Sequence, residues 1–177
     1  ALSGEKDDGH RYVEQAFNGG AIAAFVEHDV GSDFVCLDLR DISSIEQQLQ
    51  HLVLPVCLRV SDTLKALQRF AQYWRNQLDV RVVGITGSVG KTTTKDFIQS
   101  IAKESYNSYA NEGNYNNHLG VPLSLSQIPK DTEYCIQEMG MSSKGEIKLL
   151  SKLTKPDIAV ITEICGAHLG NFKSVNE

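Results

Sequence analysis

The sequence predicts an α/β fold whose strands run parallel, and two observations carry that prediction. Apolar runs of strand length alternate with helical repeats along most of the chain, which is the order of strands joined by crossover helices. One run, VRVVGIT at residues 80–86, is almost continuously apolar, as strands buried in a parallel sheet are. A glycine-rich turn and then a helical pattern follow this run directly, which completes one strand–loop–helix unit of such a sheet.

The first 78 residues predict a smaller α/β domain that is truncated at its start. Asp8 and Gly9 precede a helical stretch with its apolar positions on one face, and Pro55 ends a second helical stretch. Residues 27–41 are mostly polar and receive no assignment. The predicted elements are a helix at residues 10–20, a strand at 21–26, a helix at 42–54, a strand at 56–60 and a helix capped by Ser61 or Asp62 that runs to about residue 78.

The sequence changes character at Asp79, and we place a domain boundary near residues 77–80. Residues 79–177 are predicted to form the first part of a phosphate-loop domain built on a parallel sheet, truncated at its end. The predicted elements are strands at residues 80–86, 108–110, 134–139 and 157–162, and helices at residues 95–105, 117–127 and 145–153.

Composition excludes several classes of protein. Of the 177 residues, 41% are apolar and 22% are charged, which is typical of a soluble globular chain rather than a disordered or fibrous one. The formal net charge of −5 argues against binding to nucleic acid, and no apolar stretch approaches the ~20 residues of a membrane span. The cysteines lack metal or disulfide spacing, which predicts a cytoplasmic setting. Nothing in the composition indicates an oligomeric state.

The strongest functional signal is the loop after the strand at residues 80–86. Its pattern is GxxGKT, with Ile85 where the common phosphate-loop pattern has its first glycine. The glycines permit a sharp turn with inward-pointing amides, Lys91 can reach β- and γ-phosphate oxygens, and the Thr92 hydroxyl can bind Mg²⁺. The alternative is an ordinary glycine turn before a capped helix. The predicted nucleotide-binding residues are Gly87, Ser88, Val89, Gly90, Lys91, Thr92 and Thr93.

Polar residues at or after the ends of the next two strands are further candidates for the functional site. Glu138 ends one strand, at the sheet edge where parallel α/β folds bind ligands, and a carboxylate beside a phosphate loop suits Mg²⁺. The alternative is a solvated acid at the end of a strand. His168 follows the last predicted strand, and a lone histidine is more often structural. The loop GNYNNHLGVPLSL offers the amides of Asn114, Asn116 and Asn117, although asparagine and glycine also simply form turns.

Together these segments resemble the Mur ligase family, the ATP-dependent enzymes that add amino acids to the peptidoglycan precursor. The segment at residues 1–27 is similar to the family's uridine-nucleotide-binding first domain, and RVSDTLKALQRFA is similar to its junction with the ATPase domain. The resemblance covers most of the chain apart from about residues 28–54. The matching segments of the second half, in the family's order, are GITGSVGKTTTKDF, EGNYNNHLGVPLSL, EMGMSSKGEI, PDIAVIT and AHL.

The resemblance implies substrates, cofactors and residue roles. The segments around residues 113–125 and 138–147 are most similar to members that join D-alanyl-D-alanine to a UDP-linked muramoyl tripeptide through an acyl phosphate, with ATP and Mg²⁺. Ser3, Gly4 and residues 8–10 would lie near the uridine diphosphate. The residues implied for catalysis are Lys91, Asn116, Asn117 and His168, and those implied for metal binding are Thr92 and Glu138 for a first Mg²⁺ and His168 for a second.

The chain also departs from the family pattern. Glu163 and Gly170 replace an asparagine and a glutamate that the family often has around its histidine, and Ser142 and Lys144 replace an asparagine and a proline. The chain stops before the lysine that family members carbamylate, and it lacks the domain that closes over ATP. Because the chain begins with Ala and both ends interrupt patterns, we expect a piece of a longer protein that does not turn over alone. The alternatives are a folate- or cyanophycin-type ligase of the same fold, or an inactive ATP-binding module.

Overall fold

The computed structural model describes residues 1–166 apart from residues 5, 32, 42, 44 and 51. The chain divides into two compact units, Ala1–Leu67 and Gln68–Glu177, and the division falls within one helix. The functional boundary near residues 77–80 stays a prediction. Within the described part of the chain, no helix is both long enough and apolar enough to cross a membrane.

The first unit contains a three-stranded parallel sheet with the strand order β1-β3-β2. Its core contains Val13, Val26 and Cys57, with the ring of Phe17 packed edge-on against Phe34. The elements are a 3-10 turn at Gly9–Tyr12, α1 at Val13–Asn18, β1 at Ala23–Val26, β2 at Val35–Asp38, α2 at Ile45–Leu49 and β3 at Val56–Arg59. Helix α3, at Thr63–Gln77, begins in this unit and ends in the second.

Two elements of this unit differ from the sequence prediction. Strand β2 falls on a short apolar interruption, residues 34–37, of the stretch that received no assignment. Since it is an edge strand with only Leu37 buried, it carries no apolar alternation. Helix α2 is much shorter than the predicted helix at 42–54, because Leu49, Val53 and Leu54 are each more than half exposed and give a longer helix no face to bury.

The second unit contains a four-stranded sheet with the order β5-β6-β4-β7, and every neighbouring pair is parallel. The parallel α/β fold class is therefore confirmed. Val82 and Val83 belong to different core clusters, as expected when successive side chains of a strand point to opposite faces. The elements are β4 at Arg81–Thr86, α4 at Lys91–Ala102, β5 at Ser108–Ala110, α5 at Gly120–Ser126, β6 at Tyr134–Glu138, α6 at Glu146–Thr154 and β7 at Ile158–Ile161.

The register of this sheet brings several strand ends together. Ile85 lies opposite Glu138, and Thr86 lies opposite Ile161, so β4, β6 and β7 end at one edge. Strand β5 ends earlier, with Ala110 opposite Ile136. The carboxyl edge of a parallel sheet is where open α/β folds bind ligands, so this edge positions the site.

Helix α4 begins earlier than predicted, at Lys91 rather than residue 95. Its first turn, KTTT, is polar and adds nothing to the apolar repeat, so a periodicity argument detects the helix only one turn later. In the first unit, Asp62 rather than Ser61 caps α3, because its Oδ1 accepts a hydrogen bond of 2.8 Å from the backbone N–H of Lys65.

Candidate nucleotide-binding site

The phosphate loop lies between the end of β4 and the start of α4, as predicted. Gly87 has a φ of +134° and Gly90 a φ of +85°, conformations that residues with a Cβ rarely adopt. At Gly87 there is also no room, because a Cβ would lie 2.2 Å from Thr162 Oγ1 and 2.9 Å from the carbonyl oxygen of Glu163. Glycine is therefore required at position 87 by both backbone angle and space.

The segment after β7 braces this loop from outside. The Ser88 N–H donates to the Glu163 carbonyl over 2.6 Å, and Thr162 Oγ1 donates to the Val89 carbonyl over 2.6 Å. Ser88 Oγ donates to the carbonyl of Cys165 and accepts from its N–H, each over 3.1 Å. The shape of the loop thus depends on residues 162–165, while the Val89 side chain stays exposed.

Lys91 folds back over the loop that it follows. Its Nζ donates to the carbonyl oxygens of Gly87, at 2.7 Å, and Ser88, at 3.3 Å. The ammonium is thereby held at the loop, beside the first turn of α4, where the helix N-terminus adds positive potential. Thr93 lies further along this first turn and is exposed. The loop, the helix end and the lysine together could hold a phosphate group.

Glu138 is the central side chain of the site. It is only 2% exposed, and its carboxylate accepts hydrogen bonds from Thr92 Oγ1 at its Oε2 and from Asn116 Nδ2 at its Oε1, each over 2.8 Å. The ion pairs among the described residues do not include it. A buried carboxyl group whose hydrogen-bond donors are both neutral is a favourable place for a cation.

This donor set fits Mg²⁺. Mg²⁺ prefers oxygen ligands and is usually held by one or two protein oxygens together with phosphate groups. Thr92 and Glu138 supply such oxygens beside the phosphate loop, and because the Thr92 hydroxyl donates its hydrogen to Glu138, its lone pairs remain for a metal. The structure therefore brings together the two residues predicted for the first Mg²⁺. His168, predicted for catalysis and for a second Mg²⁺, lies outside the described residues.

Of the asparagines in the asparagine-rich loop, Asn116 is the one that binds the Glu138 carboxylate. The Asn116 carbonyl accepts from the N–H of Gly140 over 2.7 Å, and a Cβ at Gly140 would lie 2.9 Å from Asn116 Oδ1, so glycine permits this close approach. Asn117 points its side chain at its own backbone instead, where Oδ1 accepts from the N–H groups of Leu119 and Gly120 at the start of α5. A catalytic role for Asn117 stays a prediction.

Comparison with known proteins decides the family. The model of the Mur ligase middle domain matches residues 85–177, more than half of the chain. The chain belongs to the Mur ligase family. The resemblance drawn from the sequence motifs is therefore confirmed.

Individual relatives of this Mur ligase chain agree on one member of the family. It is 43% identical, over 98% of its length, to the UDP-N-acetylmuramoyl-tripeptide–D-alanyl-D-alanine ligase of Bacillus subtilis and covers 34% of that protein. It is 33% identical, over 99% of its length, to the enzyme of the same name from Escherichia coli K12 and again covers 34%. The chain thus spans about a third of the length of these curated relatives.

Solved structures extend the likeness to three dimensions. A crystal structure of MurF from Acinetobacter baumannii superimposes with a TM-score of 0.81 at 34% identity, covering 99% of this chain and 34% of that one. MurF ligase from Thermotoga maritima, solved in complex with ADP, gives a TM-score of 0.77 at 29% identity and coverages of 99% and 36%.

Three buried polar residues of this Mur ligase site escaped the sequence analysis. They are Lys95, Asn111 and Gln137, which are 5%, 1% and 0% exposed. Asn111 Oδ1 accepts from the N–H of Glu138 over 2.7 Å, and Gln137 Nε2 donates to the Glu138 carbonyl over 2.8 Å. The available signal was a polar residue inside or directly after an apolar strand, as in YCIQEM and SYAN.

In the first unit of this Mur ligase chain, the residues predicted near uridine diphosphate form a local network. Asp8 Oδ1 accepts from the backbone N–H of His10 at 3.0 Å, from His10 Nδ1 at 2.6 Å and from Ser3 Oγ at 3.3 Å. The backbone and ring hydrogen bonds from His10 hold the pKa of the Asp8 carboxyl well below its usual range. Gly4 adjoins the network through its N–H bond to the Asp7 carbonyl, over 2.8 Å.

The network is arranged for hydrogen bonding rather than for a metal. Asp8, His10 and His28 place potential ligand atoms close together. However, His10 Nε2 accepts from the N–H of Glu27 over 2.8 Å, so the ring proton lies on Nδ1 and points at Asp8. His10 therefore has no lone pair left for a metal.

Proposed function

We propose that this chain is the precursor-binding and nucleotide-binding part of an ATP-dependent ligase that joins D-alanyl-D-alanine to a UDP-N-acetylmuramoyl tripeptide. The observation that carries the proposal is the carboxylate of Glu138, which contacts both the phosphate-loop helix, through Thr92, and the asparagine-rich loop, through Asn116. The names of the relatives and the ADP in the Thermotoga structure support it.

The proposed reaction forms an amide in two steps. A carboxylate oxygen of the tripeptide attacks the γ-phosphorus of ATP, the bond to ADP breaks, and an acyl phosphate forms. The amine nitrogen of D-alanyl-D-alanine then attacks the acyl carbon, phosphate leaves with the electrons of the broken C–O bond, and the amine loses a proton. The first step brings two anions together, so the site must supply positive charge.

The residues of the chain divide this task. The loop amides other than that of Ser88, which binds the Glu163 carbonyl, would bind phosphate oxygens together with the ammonium of Lys91. They would hold the γ-phosphorus in line with the attacking oxygen. Thr92 and Glu138 would hold Mg²⁺, which when bound neutralises charge spread over the transferring phosphoryl group. Asn116 would keep the Glu138 carboxylate turned toward Thr92, because it occupies the second oxygen.

We also propose small-molecule partners and a cytoplasmic location. The precursor would contact residues 3–10 of the first unit, and the dipeptide would approach from the side of the asparagine-rich loop. The location follows the sparse use of cysteine. The second Mg²⁺ site that the family resemblance implies for His168 stays a prediction.

The test is acceptor-dependent phosphate release by the full-length protein from which this chain derives. With ATP, Mg²⁺ and UDP-muramoyl tripeptide, we expect release only when D-alanyl-D-alanine is added, and we expect Glu138→Gln to abolish it. Release with a folate or cyanophycin-type substrate instead would reassign the ligase. ADP binding without release for any acceptor would favour a non-enzymatic module. The 177-residue chain alone is expected to release no phosphate.

A further inference from the structure

Strand β6 extends beyond its neighbour β5 at the edge that carries Glu138. The last regular bond of this pair runs from the Asn111 N–H to the Ile136 carbonyl, over 3.3 Å. In a parallel ladder, the carbonyl of the same residue would next accept from the N–H two positions further along the partner, which is Glu138. The regular ladder therefore predicts a bond from the Glu138 N–H to the main-chain carbonyl of Asn111.

The structure replaces that bond with a side-chain one. The main-chain carbonyl of Asn111 accepts instead from Lys95 Nζ, a buried ammonium 2.9 Å away. The side-chain oxygen of Asn111 takes its place and accepts from the Glu138 N–H over 2.7 Å. The Asn111 side chain thus supplies one more hydrogen bond of the ladder beyond the end of β5, and the donor of that bond is the backbone N–H of Glu138, the proposed metal ligand.

The buried amide side chain of Asn111 leaves one of its polar groups without a hydrogen bond. Asn111 is 1% exposed, and its Nδ2 has no hydrogen-bond partner among the described residues. A buried donor without a partner is destabilising, so the side chain is tolerated here for its oxygen. Gln137 binds the Glu138 carbonyl from the same side. Two amide side chains therefore fix both backbone groups of Glu138 where no strand is available.

We propose that Asn111 is a positioning residue for the Glu138 carboxylate. By fixing the backbone of Glu138, it sets the direction in which the side chain leaves the strand, and so brings both carboxylate oxygens to Thr92 and Asn116. Lys95 makes this possible by holding the main-chain carbonyl of Asn111. The proposal rests on the proposed function, in which Glu138 binds the Mg²⁺ that accompanies the nucleotide.

The test measures ADP affinity of the 177-residue chain by calorimetry, once with Mg²⁺ and once with EDTA. We expect Asn111→Leu, which keeps the size and removes the acceptor, to reduce the gain from Mg²⁺ by about tenfold, the usual effect of losing a residue behind a metal ligand. The affinity in EDTA is expected to stay within about twofold. Asn111→Asp keeps an acceptor oxygen and is expected to retain the gain.

Three comparisons make the result decisive. Ser124→Ala removes another fully buried side-chain oxygen of the same unit, and we expect it to leave both affinities unchanged. Glu138→Gln tests the proposed function alone: a retained Mg²⁺ gain, or no gain in the unmodified chain, overturns the Mg²⁺ role of Glu138. If Glu138→Gln loses the gain and Asn111→Leu keeps it, only the positioning role fails.

Two further outcomes also bear on the positioning role. An equal loss in Mg²⁺ and in EDTA for Asn111→Leu would show general damage to the site. If Asn111→Leu shows no cooperative melting, Asn111→Asp decides: a retained gain supports the proposal, and a loss as complete as that of Glu138→Gln overturns it.

Discussion

Replacing Gly87 with alanine tests how tightly the phosphate loop is braced. The added Cβ meets Thr162 Oγ1 at 2.2 Å and the Glu163 carbonyl oxygen at 2.9 Å, distances that real Cβ contacts essentially never show. It also lies 3.0 Å from the Glu163 nitrogen, which is a tight contact. Either residues 162–163 move away or the loop moves out. In both cases the bonds from Ser88 to Glu163 and from Thr162 to Val89 are lost.

The magnitude follows from these contacts. Holding alanine at a φ of +134° costs about 2 kcal/mol, and each lost hydrogen bond costs about 1 kcal/mol. We therefore expect Gly87→Ala to lower the free energy of unfolding by about 4 kcal/mol. For a chain of this size that corresponds to a fall in Tm of roughly 8–16 °C. ADP affinity should fall by at least about tenfold, because the loop no longer holds the shape that would position the phosphate groups.

Gly145 provides the matched control. Its φ is +86°, but no atom of the described residues lies within 4 Å of the position that an added Cβ would take, so Gly145→Ala carries the backbone cost without a collision. Thermal melting should show a fall of roughly 2–8 °C for this variant, with ADP affinity unchanged by calorimetry. Equal falls in Tm for the two variants, or full ADP affinity in Gly87→Ala, would refute the bracing by residues 162–163.

Three other predictions concern charge and burial. Lys91→Met should lower ADP affinity by at least about 100-fold in calorimetry. It should change the free energy of unfolding by only about 1 kcal/mol in thermal melts, since the freed loop carbonyls can bind water. Normal ADP affinity would contradict the assignment of Lys91 to phosphate binding. Burial raises the pKa of the Cys135 thiol to about 12, so a thiol reagent at pH 8 should label exposed Cys36 first and Cys135 only on unfolding. Hydrogen bonds from His10 lower the pKa of the Asp8 carboxyl, so the ionised carboxylate stabilises the fold above pH ~4, and this stabilisation is lost as the pH falls. The difference in Tm between the native chain and Asp8→Asn should therefore shrink from pH 7 to pH 3.

The fold was predictable from the sequence where buried elements require a recognisable pattern of apolar residues. Strands β4 and β6 are covered on both faces, so VRVVGIT and YCIQEM are apolar enough to identify without a structure. Strand β2 was not predictable, because an edge strand with one buried side chain needs no apolar alternation. The start of α4 was missed for a related reason, since its first turn is polar and belongs to the site rather than to the core.

The site was predictable where its chemistry needs a motif, and not where it needs support. Glycines, lysine and threonine at fixed spacing indicated the phosphate loop, and Glu138 followed from its place after a buried strand. Asn111 could not be found this way, because its role depends on β5 ending one rung short of β6, which is a matter of register between strands. The brace on Ser88 depends equally on β7, which is distant in the sequence.

That brace sets the order in which the protein can assemble. Ser88 and Cys165 are 77 residues apart, and the strands between them pair only in parallel. Long-range parallel pairing is slow, because the entropy of closing the intervening chain is lost before the contacts form. During synthesis, the residues of the phosphate loop emerge early, but the hydrogen bonds from residues 162–165 that hold the loop can form only after β7 has joined the sheet. Nucleotide should therefore protect the native protein from unfolding while doing little to speed its folding.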